Sequence, residues 1–505
     1  MKLRSLPCFV VAFGLCLSAF AVPAQAAVKG QYIAKAYTEA LGRIPDQGGW
    51  LSAINLFASQ GCNTGTLRGF FRGVYLSAEY NGLGYDNAAK LLTLYRGVLN
   101  REPAITEFNN NLTLLGTGTS WTTMVDNFLN GAEFVNKVSS YCNTANYGFG
   151  AGQPIALPVS GSGFTGTQAQ LQAAINATPA GGTVFLAQKA LVGISSTLVL
   201  KAGVTLATTG NPDPNHYANM GRLIRTSNFA DAMIRMLPGS KLQSVWVDGQ
   251  RSVRGFSFEA VNIQIWGGTG TTVTKSRMTN SAGGTNLKAL GSGEGMPCGS
   301  NTISFNLIDA YTSSHTGSTW SDGLTIVCEN TLIESNQIVD ATDVAIVIFG
   351  ALPAVQRSIA QNNLILNVGN SSYGGLVFDS WHSSGTTVDF TGASIRNNTI
   401  WSGPSVHFDV ALSVGTRPWF GDTTNRAFGA SMVNNTSGIS KINVDTGIAV
   451  SGMTNATVTG NTLDVTLLNV NSCPTAAVAA AISAGWASGT IQTYLDLDVK
   501  TCVSH

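Results

Sequence analysis

Carboxylates are scarce in this chain, so those that recur at the start of apolar runs stand out. Trp320-Ser321-Asp322-Gly323-Leu324 leads into one run, and Ala341-Thr342-Asp343-Val344-Ala345 leads into the next, 21 residues on. Two carboxyl groups about 5 Å apart can cleave a glycosidic bond with one as nucleophile, and a wider pair leaves room for a water. Asp409 precedes a further run, Val410-Ala411-Leu412. Aligned by the runs, it matches Asp343 two repeats away with Gly375 between, a separation of roughly 10 Å. A second constellation is Phe378-Asp379-Ser380-Trp381-His382, which puts a carboxylate and an imidazole three apart beside an indole. Those are the parts for proton transfer against a sugar face. Trp320, Trp381, Arg417 and Trp419 are the candidates for holding substrate, while His315, His407 and Trp401 lie near ends of runs, where packing is the commoner role. Each Asp taken singly is equally a turn cap, its carboxylate bonding nearby N–H groups.

The charge around these residues narrows the chemistry. No Lys occurs between Ala289 and Ser440, where four Arg (Arg357, Arg396, Arg417, Arg426) face eleven acids, a net charge of −7. Such a surface repels a polyuronate unless a cation intervenes, so a neutral or weakly charged glycan and hydrolysis are favoured. The whole chain of 505 residues has a net charge of +1, which excludes a basic nucleic-acid binder. Only 11% of residues are charged, and 44% are hydrophobic, which excludes charge-driven disorder.

Several elements must position these groups. Residues 27–142 read as helical, with apolar residues at three- and four-residue spacing in 32–41 and 91–99. This segment repeats itself: Tyr37-Thr38-Glu39-Ala40-Leu41-Gly42-Arg43-Ile44-Pro45 echoes Tyr95-Arg96-Gly97-Val98-Leu99-Asn100-Arg101-Glu102-Pro103, and Ser77-Ala78-Glu79-Tyr80 echoes Gly131-Ala132-Glu133-Phe134. A Gly/Ser/Pro-rich stretch, 143–164, reads as a linker. From 165 to 470 the pattern changes to a short amphipathic helix, 167–177, followed by short strands. A small-x-Asn-x-Ile unit recurs at Asn306, Asn336, Asn363, Asn398, Asn435 and Asn461, with Ser276 and Asp248 in the same slot upstream. A repeat of this length is one coil of a solenoid, in which stacked Asn amides satisfy one another. Residues 471–505 read as a cap on the last coil.

The first 26 residues have the form of an export signal: Lys2 and Arg4, an apolar run from Phe9 to Phe20, and Ala24-Gln25-Ala26 as the cleavage site. No later stretch is long and apolar enough to span a bilayer. Cys62, Cys142, Cys298, Cys328, Cys473 and Cys502 then remain, and locality pairs them as 62–142, 298–328 and 473–502. Disulfides fit an exported protein, and the spacing does not read as a metal site.

Residues 165–470 resemble the pectate-lyase-like superfamily of right-handed parallel β-helices, on the strength of the capping helix, the periodic strands and the Asp248-Gly249 turn. Residues 30–140 resemble the bacterial DUF4214 family, on the Gly-Arg-x-Pro-Asp turn and the Ser-Ala-Glu-Tyr helix end. Asp322-Gly323 is similar to the Asn-Thr-Asp-Gly motif of polygalacturonases, with Ser321 in place of Thr and Asp343 in place of one member of their Asp pair. Asp379 to His382 is similar to the Asp-Pro-His-Asp segment of alginate epimerases. These resemblances imply a mainly β solenoid behind a small accessory or attachment module, working on a polysaccharide outside the cell or in the periplasm. The expectation is a glycoside hydrolase with Asp322 and Asp343 as acid/base carboxylates, Asp409, Asp379 and His382 in reserve, and no cofactor. A lyase or epimerase assisted by Ca²⁺ and a non-catalytic surface or adhesion protein are the alternatives. Nucleic acid is not expected as a partner, and the oligomeric state is left open.

Overall fold

The computed structural model describes residues 28–150, 152–291, 298–310, 313–315, 317–350, 357–381, 387–415, 427–451 and 453–467. The leader 1–26, the cap 471–505 with Cys473 and Cys502, and the candidates His382, Arg417 and Trp419 lie outside them.

Strands of mostly three to six residues wind into coils, and like strands of successive coils pair in parallel. They stack as sheets of ten, eight and ten strands, with a small three-stranded sheet beside the last coils. The chain is a parallel β-helix preceded by a helical domain. The inward slot of the first sheet shows why these residues form it. Leu242, Val273, Ile303, Ile333, Ala360, Ile395, Met432 and Val458 lie in one register, each buried. Alternation with polar partners gives the period of two that a half-buried strand requires.

The corner between the first and second sheets is built by asparagines. Nδ2 of Asn306, Asn336, Asn363, Asn398 and Asn435 each donates to Oδ1 of the next Asn at 2.9–3.0 Å. The same Oδ1 also accepts the backbone N–H of the preceding rung. Every amide is thereby satisfied inside the wall, as buried polar groups require. Ser276 continues the ladder, its N–H on Asn306. Asp248 does not: Ser276 aligns with Val245, and Asp248 lies three residues further on, in the second sheet. At the mouth of the tube, the helix Gln168–Ala177 starts in a reciprocal Thr167–Gln170 capping box and buries Leu171 and Ile175. That box satisfies two N–H groups that the helix leaves unpaired. Cys298 and Cys328 form a disulfide between successive coils, and Cys62 and Cys142 form one within the helical domain.

Eight helices run from Gln31–Ala40 to Ala132–Asn143. Five begin at Asp46, Asn63, Ser77, Asp86 or Ser120, whose side chain accepts the N–H three residues on. The internal repeat is structural. Arg43 bonds Glu79 at 2.7 Å, and its counterpart Arg101 bonds Glu133 at 2.6 Å. The turn positions Gly42 and Asn100 both have positive φ, +62° and +51°. A Cβ on Gly42 would lie 1.9 Å from the carbonyl oxygen of Pro214, so the first copy of the turn abuts the β-helix.

The helices cover the outer face of the eight-stranded sheet. Leu307, Val339, Leu366 and Trp401 belong to one apolar cluster with Tyr32, Leu94 and Val98. Among them lies a buried ionic network. Glu39 bonds Arg96 at 2.8 Å, Arg277 at 2.8 Å and the Tyr217 hydroxyl at 2.7 Å. Glu102 bonds Arg96 and Arg222, Asp248 bonds Arg222, and Asp309 bonds Arg277. Burial would raise Glu39, but Arg277 and Arg96 outweigh it and hold its carboxyl well below the usual range. Residues 143–150 add to this seam: the Gly148 carbonyl accepts from Lys35 at 3.2 Å and Asn100 at 2.7 Å.

Candidate functional site

Among the described residues, the apolar cluster of the N-terminal helices takes in no strand of the third sheet. Its strands Val344–Phe349, Ser372–Asp379, Phe408–Gly415 and Ile442–Ser451 are in one register, with Val344, Gly374, Val410 and Thr446 side by side. The residues just before them form a column: Asp343, Tyr373, Asp409, Asp445. The sequence alignment put Gly375 between the two aspartates. The register puts Tyr373 there, because the strand begins earlier than its apolar run, at Ser372.

Two histidines close on this column. His407 lies two residues before Asp409, immediately ahead of the strand Phe408–Gly415. His315 arrives on the connection from Leu307–Asp309 in the second sheet to Asp322–Ile326 in the third. Nε2 of His407 is 3.3 Å and Nε2 of His315 is 3.4 Å from the same oxygen, Oδ1 of Asp409, and His407 is 4.0 Å from Oδ2 of Asp445. The carboxylates lie behind, with side chains 1% and 2% exposed, and the imidazoles in front, 28% for His407 and 16% for His315. Burial pushes the Asp409 carboxyl up, and the two histidines outweigh it and hold it below its ordinary value. Asp409 in turn raises His407. Ser371 fixes that ring, its Oγ 3.0 Å from Nδ1 and accepting the His407 N–H at 3.2 Å. The Tyr373 ring lies 4.3 Å from His315 and 5.9 Å from Trp320, edge to face with the indole. Burial, then Asp409 and Asp343, raise its phenol, so it keeps its proton at neutral pH.

Of the other described candidates, Asp322 stands one coil before the column, beside Val344, and Asp379 stands at the far end of its strand. Asp322 accepts the Val344 N–H at 3.0 Å on one oxygen and the Thr325 hydroxyl at 2.5 Å on the other, so it ties two coils together. Asp379 is six residues beyond Tyr373 on the same strand, roughly 20 Å away. It is buried, accepts the Trp381 N–H at 2.9 Å, and lies at the end where Phe349 and Trp381 stack at 5.4 Å. The sequence reading passed over Tyr373 and Asp445 and took His315 and His407 for packing. The signal that could have found them is spacing: Asp409 and Asp445 are 36 residues apart, one coil, and His407-x-Asp409 alternates as one strand face does.

Ca²⁺ does not fit this donor set. Calcium takes six to eight oxygens. Among the described residues, His407, Asp409 and Asp445 are the group whose donor atoms lie within 4.8 Å of one another, and one donor is an imidazole. No helix among the described residues is long and apolar enough to cross a membrane.

No family model and no curated protein matches the chain. Among solved structures it is similar to the Dettilon tailspike protein gp208, at 12% identity and a TM-score of 0.32, over 57% of this chain and 62% of that one. The chain thus spans about three fifths of that tailspike. It is also similar to an endo-xylogalacturonan hydrolase from Aspergillus tubingensis, at 14% identity and a TM-score of 0.34, over 61% of this chain and 90% of that one. An alginate lyase from Paenibacillus sp. str. FPU-7 gives 14% identity and a TM-score of 0.35, over 59% of this chain and 97% of that one. At these identities the likeness is one of fold.

Proposed function

We propose that the protein is an exported enzyme that cleaves an acidic extracellular polysaccharide by β-elimination, at the column Asp343–Tyr373–Asp409. The observation that carries this reading is the register that sets Tyr373 between Asp343 and the buried Asp409, with the His315 ring 4.3 Å away. Elimination from a uronate needs a base for the proton beside the carboxylate, an acid for the leaving oxygen, and positive charge to hold the enolate that develops. Asp343, partly exposed, is the base. Tyr373 is the acid. The His315–His407 side receives the substrate carboxylate, which answers the repulsion that a −7 stretch would otherwise exert. Trp320 offers a face for the sugar ring.

Hydrolysis by paired aspartates is less well supported than the sequence alone made it. Asp322 has both oxygens engaged, one on Val344 of the next coil and one on Thr325 of its own strand, and Asp409 stands behind the imidazoles, out of a glycan's reach. Two disulfides support an oxidising compartment. The helical domain, with its likeness to DUF4214, is here a built-in support for the wall.

A panel of uronate-containing and neutral polysaccharides tests the proposal. The expected product is an unsaturated uronate, seen as new ultraviolet absorbance, with Tyr373→Phe and Asp343→Asn each lowering kcat at least about a hundredfold (roughly 2.7 kcal/mol). New reducing ends without that absorbance would make the enzyme a hydrolase, and full activity in both variants would remove this column from the chemistry.

A further inference from the structure

We infer that His407, Asp409 and Asp445 form a binding site for one divalent transition-metal ion of the zinc class, with His315 beside them against the same oxygen of Asp409. Two imidazole nitrogens converge on one carboxylate oxygen, at 3.4 Å from His315 and 3.3 Å from His407. Those separations are longer than charge-assisted hydrogen bonds, about 2.7–2.9 Å. They match the edges of a tetrahedron whose metal–ligand bonds are about 2.0–2.1 Å, for which geometry gives edges of roughly 3.3 Å. The third donor of the close set, Oδ2 of Asp445, stands 4.0 Å from the His407 nitrogen and comes from the next coil.

The surroundings are those of a held ligand set. The two carboxylate donors come from adjacent strands of the sheet, and His407 immediately precedes one of those strands. Ser371 engages Nδ1 of His407 and so turns Nε2 toward the cluster, the outer-sphere role that serine or a carboxylate plays for ligating histidines. One imidazole nitrogen and two carboxylate oxygens, with a fourth position open, suit zinc, and nickel or copper by affinity order, and do not suit Ca²⁺ or Mg²⁺. With both carboxylates buried and both imidazoles partly open, the approach to the ion is from the sheet's outer groove. The ion's part in catalysis, holding a substrate carboxylate beside Tyr373, rests on the reading above. Its binding does not.

The test uses the full chain, stripped with a chelator and titrated separately with Zn²⁺ and Ca²⁺ by calorimetry. The expected result is one Zn²⁺ per chain, undisturbed by excess Ca²⁺. His407→Ala should weaken it more than about a hundredfold and Ser371→Ala about tenfold, with circular dichroism confirming that both variants fold. Co²⁺ substitution in the unmutated chain, giving the visible bands of a tetrahedral nitrogen–oxygen site, supplies a reading that needs no variant. The site is overturned by the absence of stoichiometric Zn²⁺ binding, by Ca²⁺ competing equally, or by unchanged affinity in a folded His407→Ala chain. Zn²⁺ bound with no glycan turned over leaves the site and removes the enzymatic reading. Full turnover by a chain that binds no Zn²⁺ does the reverse.

Discussion

Two faces of the same solenoid treat buried charge in opposite ways. On the helix-covered sheet, Glu39, Glu102, Asp248 and Asp309 are met by Arg96, Arg222 and Arg277, guanidiniums that never lose their charge. On the open sheet, Asp409 and Asp445 are met by His315 and His407, imidazoles in place of guanidiniums, a side-chain type that in general can switch its charge and ligate metals. Permanent partners fix one surface against another, whereas exchangeable partners leave a surface able to react. The faces meet at residues 367–371. There Asp340 takes the N–H groups of Val368 and Gly369, Asn370 bonds Ser313, and Ser371 bonds His407.

The sharpest way to break the contrast is Glu39→Gln, which leaves Arg96 and Arg277 buried against a neutral group. The expected loss is about 3–5 kcal/mol in chemical denaturation. An intermediate in which the helices unfold before the sheets would place the loss at the seam. Asp340→Asn tests the seam by pH. Burial raises Asp340 from its ordinary 3.8 to about 6, against the pull of the N–H groups it accepts. Between those values the folded chain keeps a proton that the unfolded chain releases, so this contribution is full below about pH 4 and is lost as pH rises through about 6. Relative to the unmutated chain, the variant should gain up to about 3 kcal/mol between pH 4 and pH 7. At the far end of the scale is Arg43→Ala, which removes an ion pair with Glu79 that water reaches. It should cost under about 1 kcal/mol, and a larger loss would mean that the repeated Arg–Glu pair holds the helical domain together.

The solenoid was legible because its pattern is one-dimensional. The Asn slots, the short apolar strands and the capping helix recur along the chain, and each is satisfied by the coil above or below. The seam was not legible, although it left a trace: Leu307, Val339, Leu366 and Trp401 make second-sheet strands apolar on both faces, which an uncovered wall would not carry. The acidic stretch pointed to the right part of the chain but mixed three roles. Asp309 and Asp340 serve the seam, Asp322 joins coils, and Asp343 and Asp409 share the open column. Sorting them requires knowing which sheet each strand joins. The site itself brings together residues from 315 to 445, on four coils and one connection, and nothing local in the sequence announces that convergence.

The asparagine corner has a bearing on how such a protein can change. Its rungs hold a constant spacing in space while the chain between them varies: 30, 27, 35, 37 and 26 residues from Asn306 to Asn461. A coil is therefore indexed by its rung and not by its length. Insertions on the far side of the tube, such as the connection that delivers His315, can lengthen or shorten without shifting the register of any strand. The wall is held by its own hydrogen bonds, and the loops above it are free to be rewritten.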